Sequence, residues 1–366
     1  MDRKTETFVL NMGPQHPSTH GVLQVALELD GERIVKATPV LGYLHRGIEK
    51  LLEDRTYMQC MPYMDKLDYV SAMNNNLGFC EAVEELAGIE VPERALYIRV
   101  IVSELSRIAG HLLFIGTLLN DLGAATAFIY AFRDREKVLD LMDHVCGGRM
   151  SFNYIRFGGV SADVQPDFLG ETWQFLYALP EIMDEYDRLI TGNEIFEART
   201  KGVSVITPQQ AKDLNLSGPN LRASNVCYDI RKVEPYCIYD RFDFDVPTGE
   251  NGDDFDRYMV RYNEIIQSAR IVRQALEQLP EGPIKGKVPP MLKPPKGDVY
   301  HRVEGARGEL GFYVVSDGTN KPYRVHIRRP SFVNMQAIDP MCRGMLIADS
   351  VAVYSTIDPI MGETDC

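Results

Sequence analysis

Two histidines, His16 and His20, stand four residues apart in Gly13-Pro-Gln-His-Pro-Ser-Thr-His-Gly21. On a helix that spacing would aim two imidazoles at one metal ion. Pro17 and the bounding glycines exclude a helix, and no cysteine or carboxylate lies within the loop to complete a ligand set. A histidine in such a loop is instead a hydrogen-bonding residue. With a reference pKa of about 6.5, it is also the side chain best suited to deliver a proton near neutral pH. A second candidate is Asp65-Lys-Leu-Asp68-Tyr69, expected at the start of a helix. Carboxylates there would complement the helix dipole, and Tyr69 would pack as an amphipathic side chain. Asp121 closes a long apolar segment. It is either exposed at a helix end or, if that end folds against the His20 loop, placed to orient the histidine.

Other chemistry finds no footing. GxGxxG, GxxxxGK[ST], HExxH and GxSxG are all absent, and the acidic run from Asp243 to Asp254 lacks the ligand ladder of an EF-hand. The cysteines, at 60, 80, 146, 227, 237, 342 and 366, form no CxxC pair. Their scatter suits reduced structural thiols, not a disulfide framework or an iron–sulfur cradle.

The elements that must position these residues read as α+β. Phe8 to Asn11 and Val22 to Leu29 alternate as strands, and Asp30-Gly31 turns the chain back into Arg33 to Ala37. Helices are expected over Arg46 to Asp54 and over Asp65 to Leu86, the latter stopped by Gly88. Pro92 opens a helix whose stripe runs through Ile101, Leu105, Ile108, Leu112, Ile115 and Leu119. Pro180 is expected to open another, and Tyr262, Ile265, Ala269, Val272 and Leu276 mark a third. Pro280 to Gly297 reads as an extended connection, followed by short alternating segments at Gly311–Val315, Tyr323–Ile327 and Val351–Ser355. The expected organisation is an N-terminal β-sheet with a mobile loop over 1–40, a helical core over 41–280, and a linker with a β-rich part over 281–366.

The net charge of −13 argues against nucleic acid and against unaided docking on an anionic membrane. No apolar run approaches the ~18 residues that span a bilayer. Met1 to Glu6 shows no apolar signal-peptide region. The chain is therefore expected to stay in the compartment where it is made, and to reach a membrane only through a partner.

Asn11-Met-Gly-Pro-Gln-His-Pro-Ser-Thr-His-Gly21 resembles the opening signature of the D-type core subunit of complex I. The resemblance continues through Gly42-Tyr-Leu-His-Arg-Gly-Ile-Glu-Lys50, Ser103-Glu-Leu-Ser-Arg-Ile-Ala109 and Asn153-Tyr-Ile-Arg-Phe-Gly-Gly-Val160. It resumes in Leu221-Arg-Ala-Ser224, Tyr228-Asp-Ile-Arg-Lys232, Arg307-Gly-Glu-Leu-Gly311 and Pro330-Ser-Phe-Val-Asn334. It implies a fold like the large subunit of nickel–iron hydrogenases. Those enzymes hold their metals with CxxC and DPCxxCxxH. The corresponding segments here are Asp68-Tyr-Val-Ser71 and Asp358-Pro-Ile-Met-Gly-Glu-Thr-Asp-Cys366, with Ile360 and Glu363 where thiolates would stand. Nickel and low-spin iron need soft thiolates, so no metal site is expected.

What the resemblance implies instead is a site for a quinone headgroup in an ion-pumping oxidoreductase. The family's headgroup ligands map onto His20 and Tyr69, and the acidic partner of that histidine onto Asp121. His45 and Arg46 map onto the segment beside an iron–sulfur cluster, which a partner subunit must carry. The implied partners are an iron–sulfur small-subunit-like chain, a neighbouring peripheral-arm subunit and a membrane quinone-chamber subunit. The implied location is the cytoplasmic face of the cell membrane. The donor, whether NADH, ferredoxin or a reduced deazaflavin, is left open. Ser151 stands where many family members carry a histidine near the cluster, which favours menaquinone or methanophenazine over ubiquinone. The stretch between Pro280 and Tyr300 is shorter than in many members, and Asn225 replaces a common glycine. The rival readings are a membrane-bound hydrogenase-related subunit and a catalytically silent assembly scaffold.

Overall fold

The structure is a computed structural model that describes residues 6–15 and 20–366. His16 and the expectation of loop mobility over residues 16–19 lie outside the described residues. The fold is α+β, as expected. Strands β1 (Phe8–Gln15), β2 (Leu23–Asp30) and β3 (Arg33–Val40) form an antiparallel sheet in the order β1-β2-β3. Along β2, Leu23, Val25, Leu27 and Leu29 are all buried while the residues between them are partly exposed. That alternation turns one face inward, where it packs with Ile338, Met341, Val353 and Ile357 from the far end of the chain.

Helices α1 (Ile48–Glu53), α2 (Tyr57–Met64), α3 (Ala72–Ala87), α4 (Glu93–Asp121) and α5 (Ala125–Cys146) follow. The continuous helix expected from Asp65 is instead a turn between α2 and α3. Asp68 causes the break: its Oδ1 accepts hydrogen bonds from the Val70 and Ser71 amides at 3.0 and 3.1 Å. Asn75 Nδ2 braces the turn from α3 by donating to the Met64 and Asp68 carbonyls, both at 3.0 Å. Tyr69 therefore projects from a turn and not from a helix face.

A small hairpin, β4 (Ile155–Arg156) with β5 (Gly159–Val160), precedes α6 (Pro166–Tyr186). The helix expected to open at Pro180 opens at Pro166, a residue whose missing N–H costs nothing at a first helical position; Pro180 lies inside it. Four short helices come next: α7 (Glu194–Thr200), α8 (Pro208–Asp213), α9 (Pro219–Ala223) and α10 (Ile230–Val233). The long α11 (Asp254–Glu277) then packs along α4. Strands β6 (Gly297–Gly305), β7 (Gly308–Ser316) and β8 (Arg324–Arg328) make a second three-stranded antiparallel sheet, which lies on α3. The last helices are α12 (Pro330–Asn334), α13 (Ile338–Cys342), α14 (Ile347–Ile357) and α15 (Met361–Thr364). Val351 to Ser355, expected as a strand-like segment, is thus helical. Its apolar residues serve a buried face of α14.

The centre of the molecule is α4, buried for most of its length. Arg99, Glu104, Arg107 and His111 nevertheless lie on it without exposed surface. Each finds a counter-charge. Arg99 Nη1 donates to Glu84 Oε2 at 2.9 Å. Glu104 lies 3.2 Å from Arg107 and 3.1 Å from Arg231, and accepts from the Tyr239 hydroxyl at 2.6 Å. Arg222 joins Glu264 (2.6 Å) to Glu304 (2.8 Å), and Glu264 holds His111 Nε2 at 2.8 Å. Burial drives the His111 imidazole down to about 4, so it is neutral at physiological pH.

Removing one partner of such a pair strands a charge in the interior, at a cost of about 3–5 kcal/mol. Arg99→Met is therefore expected to lower the thermal stability and the yield of the assembled protein by that order. Adding Glu84→Gln, which removes the stranded charge but keeps an acceptor for the Gly158 amide (2.7 Å), should recover most of the loss. Thermal unfolding of the single and double variants is the check.

Candidate functional site

Three segments remote in sequence meet at one place. The first is His20, whose backbone sits in the left-handed region at φ 44°. The second is the Asp68–Tyr69 turn. The third runs from Asp358, also left-handed at φ 56°, through α15 to Asp365. The Tyr69 hydroxyl donates to the His20 backbone carbonyl. Its ring lies against Gly362, where an added Cβ would come within 2.6 Å of Tyr69 Cε1. Ile360 is fully buried in a small apolar cluster with Val70 and Leu113, against which Tyr69 and Phe132 pack. The two segments matched to thiolate motifs thus face each other. Among the described residues no three His, Cys, Asp or Glu side chains group as a metal cradle.

The acidic partner of His20 is the main departure from expectation. Asp358 Oδ1, not Asp121, lies 3.1 Å from His20 Nε2, and both side chains are buried. Asp121 accepts a 2.6 Å hydrogen bond from Ser355 Oγ, one helical turn before Asp358. The reason is the tight end of α14: Asp358 closes that helix, so its carboxylate turns inward while Ser355 reaches outward to the end of α4.

Arg307, at the tip of the β6–β7 hairpin, binds both aspartates. Its Nη1 lies 3.3 Å from Asp68 Oδ2 and its Nη2 3.2 Å from Asp358 Oδ1. Its Nε approaches Asp358 Oδ2 at 2.9 Å without the alignment of a hydrogen bond, so that contact is purely Coulombic. Arg261 on α11 adds a second cation at 3.8 Å from Asp358. Burial by itself would raise the Asp358 carboxyl. Arg307, the His20 hydrogen bond and Arg261 outweigh that and hold it at about 2. Tyr69 goes the other way: burial, with Asp68 beside it, pushes its phenol up to about 12, so it stays protonated.

His45 and Arg46 brace the edge of the site. His45 Nδ1 meets the Asp365 carbonyl at 3.0 Å. Arg46 donates to the Gly362 carbonyl and, at 3.1 Å, to that of Lys66. Asp365 grips the amides of Gly42 (2.8 Å) and Leu44 (2.9 Å). Cys366 is buried, and burial pushes its thiol up to about 11. Sequence reading missed Arg307, Arg261 and the role of Asp358. Arg307 and Asp358 both lie within the family motifs, but nothing in a motif tells an arginine in water from one in a core.

The family described as "Respiratory-chain NADH dehydrogenase, 49 Kd subunit" matches residues 121–297 and 287–366. The D-type subunit of NADH-quinone oxidoreductase from Desulforamulus reducens is 56% identical over 365 residues, covering 100% of both chains. Proteins of the same name from Clostridium beijerinckii (55% over 361 residues; 99% of this chain, 98% of that one) and Dehalococcoides mccartyi strain 195 (56% over 363 residues; 99% of both) are equally similar. The chain belongs to this family.

Glu363 carries a further expectation. Burial, reinforced by Asp68, raises its carboxyl to about 8. An unfolded chain would release that proton near 4.5, so between those values the folded state holds a proton that the unfolded state has lost. Stability therefore falls as pH rises through this window. Glu363→Gln cannot ionise and keeps an acceptor for the Ser331 amide (2.7 Å). It is expected to match the parent near pH 5 and to be more stable at pH 9, as read from thermal unfolding at both values.

Proposed function

We propose that this chain, as a member of that family, is the core peripheral-arm subunit of a complex I-type oxidoreductase and forms its quinone headgroup site. One observation carries the reading. His20 and Tyr69, the residues that the family resemblance assigns to quinone, meet where the Tyr69 hydroxyl donates to the His20 backbone carbonyl, with the Tyr69 ring lying against Gly362 and the Ile360 cluster. Reduction of a quinone consumes two electrons and two protons. The electrons come from an iron–sulfur cluster on a partner chain, and the protons from groups at the quinone oxygens. A quinone oxygen replaces the His20 carbonyl as the acceptor for Tyr69, whose phenol is protonated and so able to donate. His20 serves the other oxygen, and Asp121, which accepts from Ser355 one turn before Asp358, is the side chain by way of which a proton returns to His20.

The hydrogenase-like ancestry of the fold belongs to the same reading, since Ile360 and Glu363 fill the positions of two thiolates. An isoleucine and a glutamate there speak against the hydrogenase-related alternative, and a built proton-donor pair speaks against a silent scaffold. Among the described residues no helix is long and apolar enough to cross a membrane. An acceptor dissolved in the bilayer then requires a membrane quinone-chamber partner to hold this chain at the cytoplasmic face. A neighbouring peripheral-arm subunit and the cluster-bearing subunit complete its surroundings, the latter against His45 and Arg46. Ser151 accepts from Lys66 Nζ at 2.6 Å, so no group titrating near neutral pH occupies that position. This supports a low-potential acceptor, menaquinone or methanophenazine.

Tyr69→Phe should lower donor-to-quinone turnover in membranes by about 10²-fold while the partner cluster still reduces and the complex assembles. Unchanged turnover would place the quinone elsewhere. In a redox titration the cluster potential should vary little between pH 6 and 8. A pH-dependent potential in the ubiquinone range would overturn the choice of acceptor.

A further inference from the structure

We infer that Asp358 is the positioning residue of this site: it captures His20 through Nε2 and thereby commits Nδ1 as the nitrogen that meets the quinone. The identity of the ligand rests on the function proposed above, whereas the contact itself does not. The two residues are 338 apart in sequence, and their side chains meet at 3.1 Å with 8% and 1% of their surface exposed. Both adopt left-handed backbone, at φ 44° and 56°, a region costly for residues with a Cβ. They are two of seven described non-glycine residues with left-handed backbone, and their side chains touch each other, so the surrounding structure holds both ends of this contact.

The chemistry follows from the protonation states. Asp358 is faced by Arg307 from the β6–β7 hairpin, by Arg261 from α11 and by His20 itself. Behind these stand Asp68 and Glu363 beyond Arg307, and Glu264 beyond Arg261. Two adjacent guanidinium groups keep the carboxylate ionised, and an ionised carboxylate can only accept. The hydrogen between the pair therefore sits on His20 Nε2 in both charge states of the ring. Nδ1 is the atom that changes: it carries a proton in the cation and a lone pair in the neutral ring. When a quinone oxygen takes the proton, the Nδ1–H bond breaks and an O–H bond forms. The imidazole is left as the neutral Nε2–H tautomer, still bonded to Asp358. Asp358 takes no proton, and the ring need not flip to be reloaded.

The test uses the assembled complex in membranes. His20→Ala, Asp358→Asn and the double variant are compared by hydrogen–deuterium exchange of peptides covering residues 20–30 and 347–366. Each single change should raise exchange in both peptides several-fold, and the double should add nothing further. Additive effects, or no change, overturn the pairing. Should Asp358→Asn fail to assemble, His20→Ala alone must still loosen the 347–366 peptide, and an unchanged pattern overturns the pairing equally. His20→Gln separates the two nitrogens, because its amide reaches the level of Nε2 but not of Nδ1. It is expected to keep the exchange pattern of the parent while turnover falls about 10²-fold. Parent-like turnover in His20→Gln overturns the Nδ1 assignment. Parent-like turnover in His20→Ala, with the exchange coupling intact, instead removes the quinone from this site and leaves the Asp358 anchor standing.

Discussion

Arg307 is shut off from solvent, and a guanidinium that never loses its charge must find its counter-ions inside the fold. It finds Asp68 on the turn between α2 and α3, and Asp358 at the end of α14. Tyr69 follows directly on Asp68, and His20 is bonded to Asp358. Both candidate proton donors therefore inherit their positions from one arginine at a hairpin tip. The room for it is made by Gly110 on α4, where a Cβ would come within 2.9 Å of Arg307 Nη1. Burying such a cluster contributes little net stability, because desolvation consumes most of the Coulombic gain. Its value lies in geometry, since few other arrangements of these segments would leave every charge matched.

The same principle runs through the interior. The Glu104–Arg231–Asp229 and Arg222–Glu264–His111 groups tie α4 to α9, α10 and α11. An aliphatic core would tolerate small slips of one helix along another. Matched charges do not, since a slip of one residue strands an ion. The proposed quinone site, with its two hydrogen-bonding side chains, would need a frame of that kind.

Much of this was legible in the amino-acid sequence, and the failures have physical causes. Alternation in β2 and the stripe of α4 are periodic signals, and both elements stand where periodicity places them. The helix expected from Asp65 fails because Asp68 spends its carboxylate on two backbone amides, a local competition that periodicity does not register. Val351 to Ser355 fails because five apolar-rich residues do not distinguish a strand from a buried helical turn. Helix α5 went unread because its exposed flank breaks the stripe. At the site, His20, Tyr69 and the Asp358–Cys366 segment were all visible as motifs. That Asp358 rather than Asp121 takes the histidine was not, because the choice depends on which carboxylate a distant arginine holds in place.

The wide spacing of the site along the chain has a consequence for how the protein is made. His20 and Tyr69 leave the ribosome early, whereas Asp358 and Gly362 follow about 290 to 340 residues later, the larger interval being that of the His20–Asp358 contact. Closing a loop of that size is entropically slow, and it comes after the local helices have formed. The candidate site is thus among the last features to mature. A nascent chain can carry most of its helical core before the His20–Asp358 contact is able to form.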